Sequence, residues 1–261
     1  MEQITLPQSV VGQGPCTISL TDRIPVKRPT AAIMLPTYCE ADNIVNLIRE
    51  IKQLKPDSLI IVIDDSSHDG TAESAHRLQE EYDNIMVFTR PTKLGLGTAI
   101  TDGFKILLSL KNTPDYIITM DADYSHDPHA IPRLLETAEK GYDLVIGSRY
   151  IKGSKIIGWH ILRWLISRIA NFIASAMVGL KIRDCTSGFR CYSKSYVKSV
   201  IGTLHSQTYE IQIETVKQAW TGGFKVKEIP IKFENRKKGK SKLTKAEFKG
   251  FLSYVIKTKM E

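Results

Sequence analysis

The sequence predicts an α/β fold with a mainly parallel sheet and helices on both faces. Three observations lead there. Short apolar runs alternate with amphipathic segments from Ala31 to Tyr150, the pattern of repeated strand–helix units. Two of those runs, 59–63 and 117–120, end in acid pairs, which puts carboxylates along one sheet edge, where open α/β folds take their ligands. The length of 261 residues, 42% of them apolar, suits one domain with an appendage and a full core.

Each element follows from local pattern. Residues 1–29 carry scattered Pro, Gly and Gln without periodicity and read as an N-terminal extension, partly flexible. The run 31–35 is the first strand. Residues 43–54 form a helix with Ile44, Leu47, Ile48 and Ile51 on one face, and Asp42 is the expected N-cap. A second strand, 59–63, leads into Asp64-Asp65 and a turn at Asp69-Gly70. A helix at 71–82, a strand at 85–89 and a glycine-entered helix at 94–110 follow. The strand 116–120 ends in Asp121 and Asp123. A helix at 129–140 stops at Gly141, and a strand at 144–147 runs into Ser148-Arg149-Tyr150.

The texture then changes. A long apolar helix carrying cations is expected at 158–180, a loop and strand at 181–192, and a helix at 207–220. Residues 224–233 alternate apolar and basic like a half-buried strand, and 247–257 form an amphipathic terminal helix. The closest approach to a membrane span, 156–180, is interrupted by His160, Arg163, Arg168 and Asn171, so no transmembrane helix is expected. Residues 1–14 lack the apolar core of a secretory signal.

Charge and cysteines narrow the function. The net charge is +8, and residues 225–261 alone hold twelve Lys/Arg against four Asp/Glu, an equal excess. Such a patch suits nucleic acid, an anionic membrane surface or a phosphate-rich ligand. The stretch 237–242 has no aromatic residue for stacking on single strands, which disfavours nucleic acid. Cys16, Cys39, Cys185 and Cys191 lack CxxC spacing and read as free thiols of a reducing compartment.

Taken alone, Asp121 and Asp123 fit either an acidic turn or a cation–diphosphate site, since Mg²⁺ and Mn²⁺ prefer hard oxygen ligands. Tyr38 could stack on a base and Glu40 accept from a base or ribose, or both could belong to a structural turn. Asp65 could hold a ribose or base while Asp64 orients its loop. Gly95-Leu96-Gly97 lacks the third glycine of the dinucleotide fingerprint, Ile100 standing in its place, and eases a helix entry.

The segments PTYCE (36–40), IDDSSHDGT (63–71), KLGLGTA (93–99), MDADYSH (120–126), GSRY (147–150), LRWLIS (162–167) and GKSKL (239–243) occur in that order. Together they resemble the inverting family-2 glycosyltransferases of Rossmann-like GT-A fold, and within them the dolichyl-phosphate mannose synthases. The resemblance implies a catalytic domain over 30–245, with an interface helix near 156–180, and a C-terminal amphipathic helix over 246–261. It also implies mannose transfer from GDP-mannose to dolichyl (polyprenyl) phosphate at the cytoplasmic face of a membrane, the endoplasmic reticulum or, in a prokaryote, the plasma membrane. The alternative is a polyprenyl-phosphate glycosyltransferase with another donor, such as UDP-glucose or UDP-N-acetylglucosamine, because no residue singled out in the sequence reads the sugar. A small membrane-anchoring subunit is a possible partner on this reading.

Residue by residue, the resemblance implies that Pro36, Tyr38, Glu40, Ile63 and Asp65 bind the donor nucleotide. Asp121 and Asp123, flanking Ala122, hold Mg²⁺ or Mn²⁺ on the diphosphate, and Ser125 stands where relatives often carry a Gln on the metal side. Arg149 contacts phosphate and, with Asp123, is implied in catalysis. Arg163 and Ser167 receive the acceptor phosphate, and Arg236 and Lys242 close over the donor. Cys39 replaces the family's common Asn. His160 to Trp164 stands one residue from the QxxRW signature of processive polysaccharide synthases, but its place directly after the SRY loop fits the acceptor helix better.

Overall fold

A computed structural model describes residues 29–179 and 181–236, together with a strand at 17–20. The helix expected at 247–257, Lys242 and the basic stretch from 237 lie outside the described residues.

The strands are β1 (Thr17–Leu20), β2 (Ala31–Thr37), β3 (Leu59–Asp64), β4 (Ile85–Thr89), β5 (Tyr116–Thr119), β6 (Leu144–Ser148), β7 (Lys155–Ile157), β8 (Arg190–Ser193), β9 (Val226–Pro230) and β10 (Lys232–Glu234). The helices are α1 (Ala41–Leu54), α2 (Thr71–Glu81), α3 (Leu96–Ser109), α4 (Ile131–Glu139), α5 (Ile161–Val178), α6 (Lys194–Val200) and α7 (Ile211–Thr221). Eight strands form one sheet in the order β1-β4-β3-β2-β5-β8-β6-β9. β2 runs parallel to β3 and β5, β3 to β4, and β6 to β9, while β1 and β8 are antiparallel to their neighbours. β7 and β10 form a separate parallel pair.

Strand order reverses at β2, with β3 on one side and β5 on the other. That is the switch point outside which such sheets open a crevice at their carboxyl ends. The central strands read as continuous apolar runs because both faces are covered. On β2, Ala32 and Met34 join a core shared with Phe104, Leu107 and Val216, whereas Ile33 and Leu35 join one shared with Leu47, Ile48 and Leu134.

Several boundaries differ from the sequence reading. Asp42 is not the N-cap. The Glu40 carbonyl already accepts from the Asn43 and Ile44 amides, so α1 begins earlier and Asp42 sits in its first turn, where a carboxylate suits the helix dipole. The segment expected as one strand at 224–233 divides at Pro230: β9 stays on β6, and β10 crosses to β7. The helix expected from 207 begins at Ile211, because the Glu210 carboxylate captures the Gln207 and Thr208 amides at 3.1 Å in a turn. α6 was not expected; Ser193 Oγ caps it by accepting from the Tyr196 amide at 3.2 Å. Within the expected N-terminal extension, β1 adds an edge strand to β4.

α5 is the anomaly of the molecule. Ile161, Leu162, Leu165, Ile166, Ile169 and Phe172 are exposed along it, Ile161 by 83% and Phe172 by 75%. Patches of this kind mark interaction surfaces. Among the described residues no helix is long and apolar enough to cross a membrane.

Candidate active site

The loops after β2, β3, β5 and β6 meet at the carboxyl edge of the sheet. Three of them are held in an uncommon backbone state. Cys39 (φ 55°), Ser66 (φ 59°) and Tyr124 (φ 60°) are the non-glycine residues with left-handed backbone among those described, and each lies in a different one of these loops. Such strain, of order 1–3 kcal/mol per residue, persists where surrounding contacts over-determine the backbone, and it gathers at functional sites.

The contacts that do so are visible. Asp64, fully buried, accepts from Thr37 Oγ1 at 3.0 Å, the Ser67 amide at 2.8 Å and Ser67 Oγ at 2.6 Å. Ser67 Oγ in turn accepts from the Cys39 amide at 2.8 Å. Asp64 therefore orients the loop. Asp65 is also buried; it pairs with Arg90 and accepts from the Leu94 and Gly95 amides at 3.3 and 3.0 Å. Burial pushes its pKa up, with Arg90 opposing. Asp65 thus fixes the 94–95 segment from beneath. Gly95 and Gly97 press against the 206–207 backbone: a Cβ on Gly97 would stand 2.3 Å from the Ser206 carbonyl. These glycines serve chain packing.

Lys93 Nζ lies 4.1 Å from the Tyr38 ring centroid, and His68 meets that ring edge-on. Pro36 and Ile63 are register partners on β2 and β3 just below. Glu40, mostly buried, accepts from Asn43 Nδ2 at 2.9 Å.

The acidic turn after β5 is built tightly. The Ser125 amide donates to Asp123 Oδ1 at 2.9 Å, and Arg236 Nη2 stands 3.0 Å from Asp123 Oδ2. Burial opposes the Asp123 charge, but Ser125 and Arg236 hold its carboxyl below the ordinary range. Asp121 is raised, chiefly by burial, with His126 opposing. His126 is buried, stacked on Phe189 and edge-on to Phe233, and its Nδ1 accepts from the Asp121 amide at 3.3 Å. It is a structural prop. Gly188 crosses close by, where a Cβ would meet Asp121 Oδ1 at 3.2 Å. Ala122 is buried beneath the turn.

This turn fits a divalent cation. It offers two carboxylates one residue apart and the Ser125 hydroxyl, buried beside Asp123. A set of hard oxygen donors held this close together suits a hard cation. Among the described residues no group of three His, Cys, Asp or Glu side chains is arranged to hold a metal ion by itself, so further ligands would come from bound substrate and water.

Arg149 follows β6. Asp184 grips it through Nε at 2.8 Å, Nη2 at 2.7 Å and the backbone amide at 2.8 Å, and Thr186 Oγ1 accepts from Nη2 at 2.7 Å. Burial works against both charges, yet the pair holds Arg149 above and Asp184 below their ordinary values. Asn171 ties α5 to this loop by donating to Thr186 Oγ1 at 3.0 Å and accepting from the Thr186 amide at 3.1 Å. Ser167 Oγ accepts from the Tyr150 hydroxyl at 2.6 Å. Arg163 lies 4.4 Å from the Trp159 ring centroid and donates to Asn235 Oδ1 at 3.0 Å. Its pKa is lowered, first by burial and then by the charges of Arg236 and Arg149; Arg149 also lies over the Trp159 ring, 5.6 Å from its centroid.

The structure thus brings together Asp121, Asp123, Ser125, Arg149, Arg163, Ser167 and Arg236, with Tyr38, Glu40 and Asp65 along the same edge. Asp184, Asn171, Trp159 and Asn235 were not singled out from sequence. Asp184 sits 35 positions from Arg149, and nothing local in 181–192 says which acid meets it. A buried arginine demands a buried partner, and that was the available signal.

Comparison with known proteins bears on the family and the fold. The chain is 34% identical over 235 residues to the polyprenol monophosphomannose synthase of Mycolicibacterium smegmatis, covering 89% of this chain and 85% of that protein. It is 34% identical over 212 residues to the undecaprenyl-phosphate mannosyltransferase of Micrococcus luteus, covering 81% and 86%. Among solved structures, glucosyl-3-phosphoglycerate synthase of Mycobacterium tuberculosis, in complex with Mn²⁺, UDP and glucosyl-3-phosphoglycerate, superposes with a TM-score of 0.62 at 18% identity over 88% of this chain and 78% of that one. That likeness identifies the fold as GT-A. The Glycosyl transferase family 2 profile matches residues 32–201, and the chain belongs to that family.

Proposed function

We propose that this protein transfers mannose from GDP-mannose to a polyprenyl phosphate such as dolichyl phosphate, with inversion, giving the β-mannosyl phosphate lipid. One observation carries the reading: an acidic turn suited to a cation–diphosphate and a group of arginines suited to a second anion lie side by side, next to an exposed apolar helix. The relatives named above as acting on polyprenyl phosphates support the acceptor class.

The acceptor phosphate monoester, with a second pKa near 6, is already a nucleophile at neutral pH, so no strong general base is required. Positioning and charge remain. Tyr38 stacks on the nucleotide base, with Pro36 and Ile63 below it and Glu40 toward the base or ribose; Asp65 acts through the 94–95 segment it holds. Asp121 and Asp123, with Ser125, would hold Mg²⁺ or Mn²⁺, which supplies positive charge against the departing diphosphate. Arg236 then turns from Asp123 toward the diphosphate, joined by Lys242. Arg149 and Arg163 bind the acceptor phosphate. Ser167 Oγ, which accepts from Tyr150, keeps its own proton for that phosphate. α5 lies on the cytoplasmic surface of a membrane, with its apolar side in the interface and Arg163 and Arg168 toward headgroups.

The test is a donor panel with a short polyprenyl phosphate and either cation. Transfer from GDP-mannose alone is expected; transfer from no sugar nucleotide would sink the proposal.

A further inference from the structure

The Gln212 amide lies beside the cation turn and has no task in the reaction described above. It belongs to the first turn of α7, is only 3% exposed, and its Oε1 is buried without a hydrogen-bond partner among the described residues. Buried polar atoms are nearly always paired, so an unpaired one calls for a reason. The reason lies across Gly188. A Cβ there would stand 3.2 Å from Asp121 Oδ1 and 3.5 Å from Gln212 Nε2. Carboxylate and amide therefore border the same gap, at most 6.7 Å apart, the two distances added. Arg190, fully buried, fixes both walls of it. Its guanidinium donates to the Ser187 and Cys185 carbonyls at 2.7 Å and to the Gln212 carbonyl at 2.6 Å. The backbone of Gln212 is thus held firmly while its Oε1 is left over.

Position and chemistry narrow the ligand. In the sheet, β2, β5 and β8 are neighbours in that order. Tyr38 follows β2, the acidic turn follows β5, and Gly188 precedes β8, so the gap lies across the cation turn from Tyr38. A nucleotide sugar has the same order of parts: base, diphosphate, sugar. An amide both donates and accepts, as a hydroxyl does, whereas a phosphate calls for cations. We propose that Gln212 hydrogen-bonds a hydroxyl of the donor sugar and is the residue through which this chain tells one hexose from another. The inference rests on the donor being a nucleotide sugar held through Asp121 and Asp123.

The test uses binding without acceptor. Full-length protein with Mn²⁺ is titrated calorimetrically with GDP, GDP-mannose and the four monodeoxy analogues of GDP-mannose; should the donor panel select another nucleotide sugar, the series is made in that sugar. At least one deoxy analogue is expected to bind the wild type tenfold or more weakly than its parent, because a site built around a hydroxyl rejects the ligand that lacks it. Gln212→Met keeps the volume and removes both polar atoms. It is expected to bind that analogue and the parent within twofold of each other, and GDP within twofold of the wild type. Its urea midpoint should not fall, since the lost Oε1 had no partner. Gln212→Asn keeps the polarity but withdraws the amide from the gap, and is expected to lose the same discrimination. Discrimination unchanged in both variants, or no deoxy analogue bound more weakly by the wild type, overturns the proposal even if sugar is transferred. Discrimination that depends on Gln212, without transfer to any polyprenyl phosphate, keeps the sugar assignment and sinks the transferase reading.

Discussion

Replacing Asp184 with Asn isolates the pair that holds Arg149. The change keeps shape and one acceptor oxygen but removes the charge facing a guanidinium whose side chain is only 10% exposed. Two estimates of the loss agree. At about 4 Å between charge centres and an effective dielectric near 20, the Coulomb attraction is about 4 kcal/mol. Breaking one partner of a buried pair typically destabilises by about 3–5 kcal/mol. Asn retains part of the hydrogen bonding, so about 2–4 kcal/mol is expected in urea unfolding. The partner variant Arg149→Met removes the stranded charge, and the double variant should be at least about 1 kcal/mol more stable than the sum of the single losses predicts. Activity should separate from stability: Asp184→Asn raises the acceptor KM while donor affinity stays within threefold. A loss under about 1 kcal/mol with no coupling would refute the reasoning, because Arg149 would then be held by something other than Asp184.

Three further outcomes are expected. Asp123→Ala abolishes transfer and weakens Mn²⁺ binding, read by the electron paramagnetic resonance of free Mn²⁺, while the circular dichroism spectrum stays native; unchanged Mn²⁺ affinity would remove Asp123 from the cation site. Arg163→Ala raises the acceptor KM at least tenfold and leaves GDP affinity within twofold, since Arg163 faces Trp159 and Asn235 on the α5 side; the reverse pattern would move it to the donor site. Lys52, buried and donating to the Ser58 carbonyl at 2.7 Å, has its pKa lowered to about 8 by burial, against an ordinary 10.5. The native state therefore releases this proton first, the unfolded chain binds more protons between pH 8 and 10.5, and stability should rise with pH across that window by up to about 3 kcal/mol relative to Lys52→Met. Parallel pH–stability curves for the two proteins would show that Lys52 is not desolvated.

Much of the fold was legible because local pattern and global burial agree. β2, β3 and β5 are apolar on both sides, so their runs stand out, and Gly141 marks a helix end with its φ of 92°. What escaped was decided by distant partners. β7 and β10 are three residues each and pair across 77 positions, with β10 also bonded to the 125–126 turn. Pro230 was in view inside an apparently continuous strand, and its missing N–H was the sign that the ladder would break there. The site divides the same way. The acids after β3 and β5 announce themselves by sitting at strand ends. Asp184 and Asn171 become visible only when α5 and the 184–187 loop are seen to close over Arg149.

The left-handed backbone at Cys39 has a bearing on how the protein could change over generations. Asn tolerates that conformation better than Cys does, so an Asn at this position would relieve a strain that this chain carries. Ser66 and Tyr124 carry the same burden. Selection for thermal tolerance alone, without a demand for turnover, should therefore drift all three toward Asn or Gly, each relieving about 1 kcal/mol. Libraries screened only for melting temperature would thus show these positions changing first.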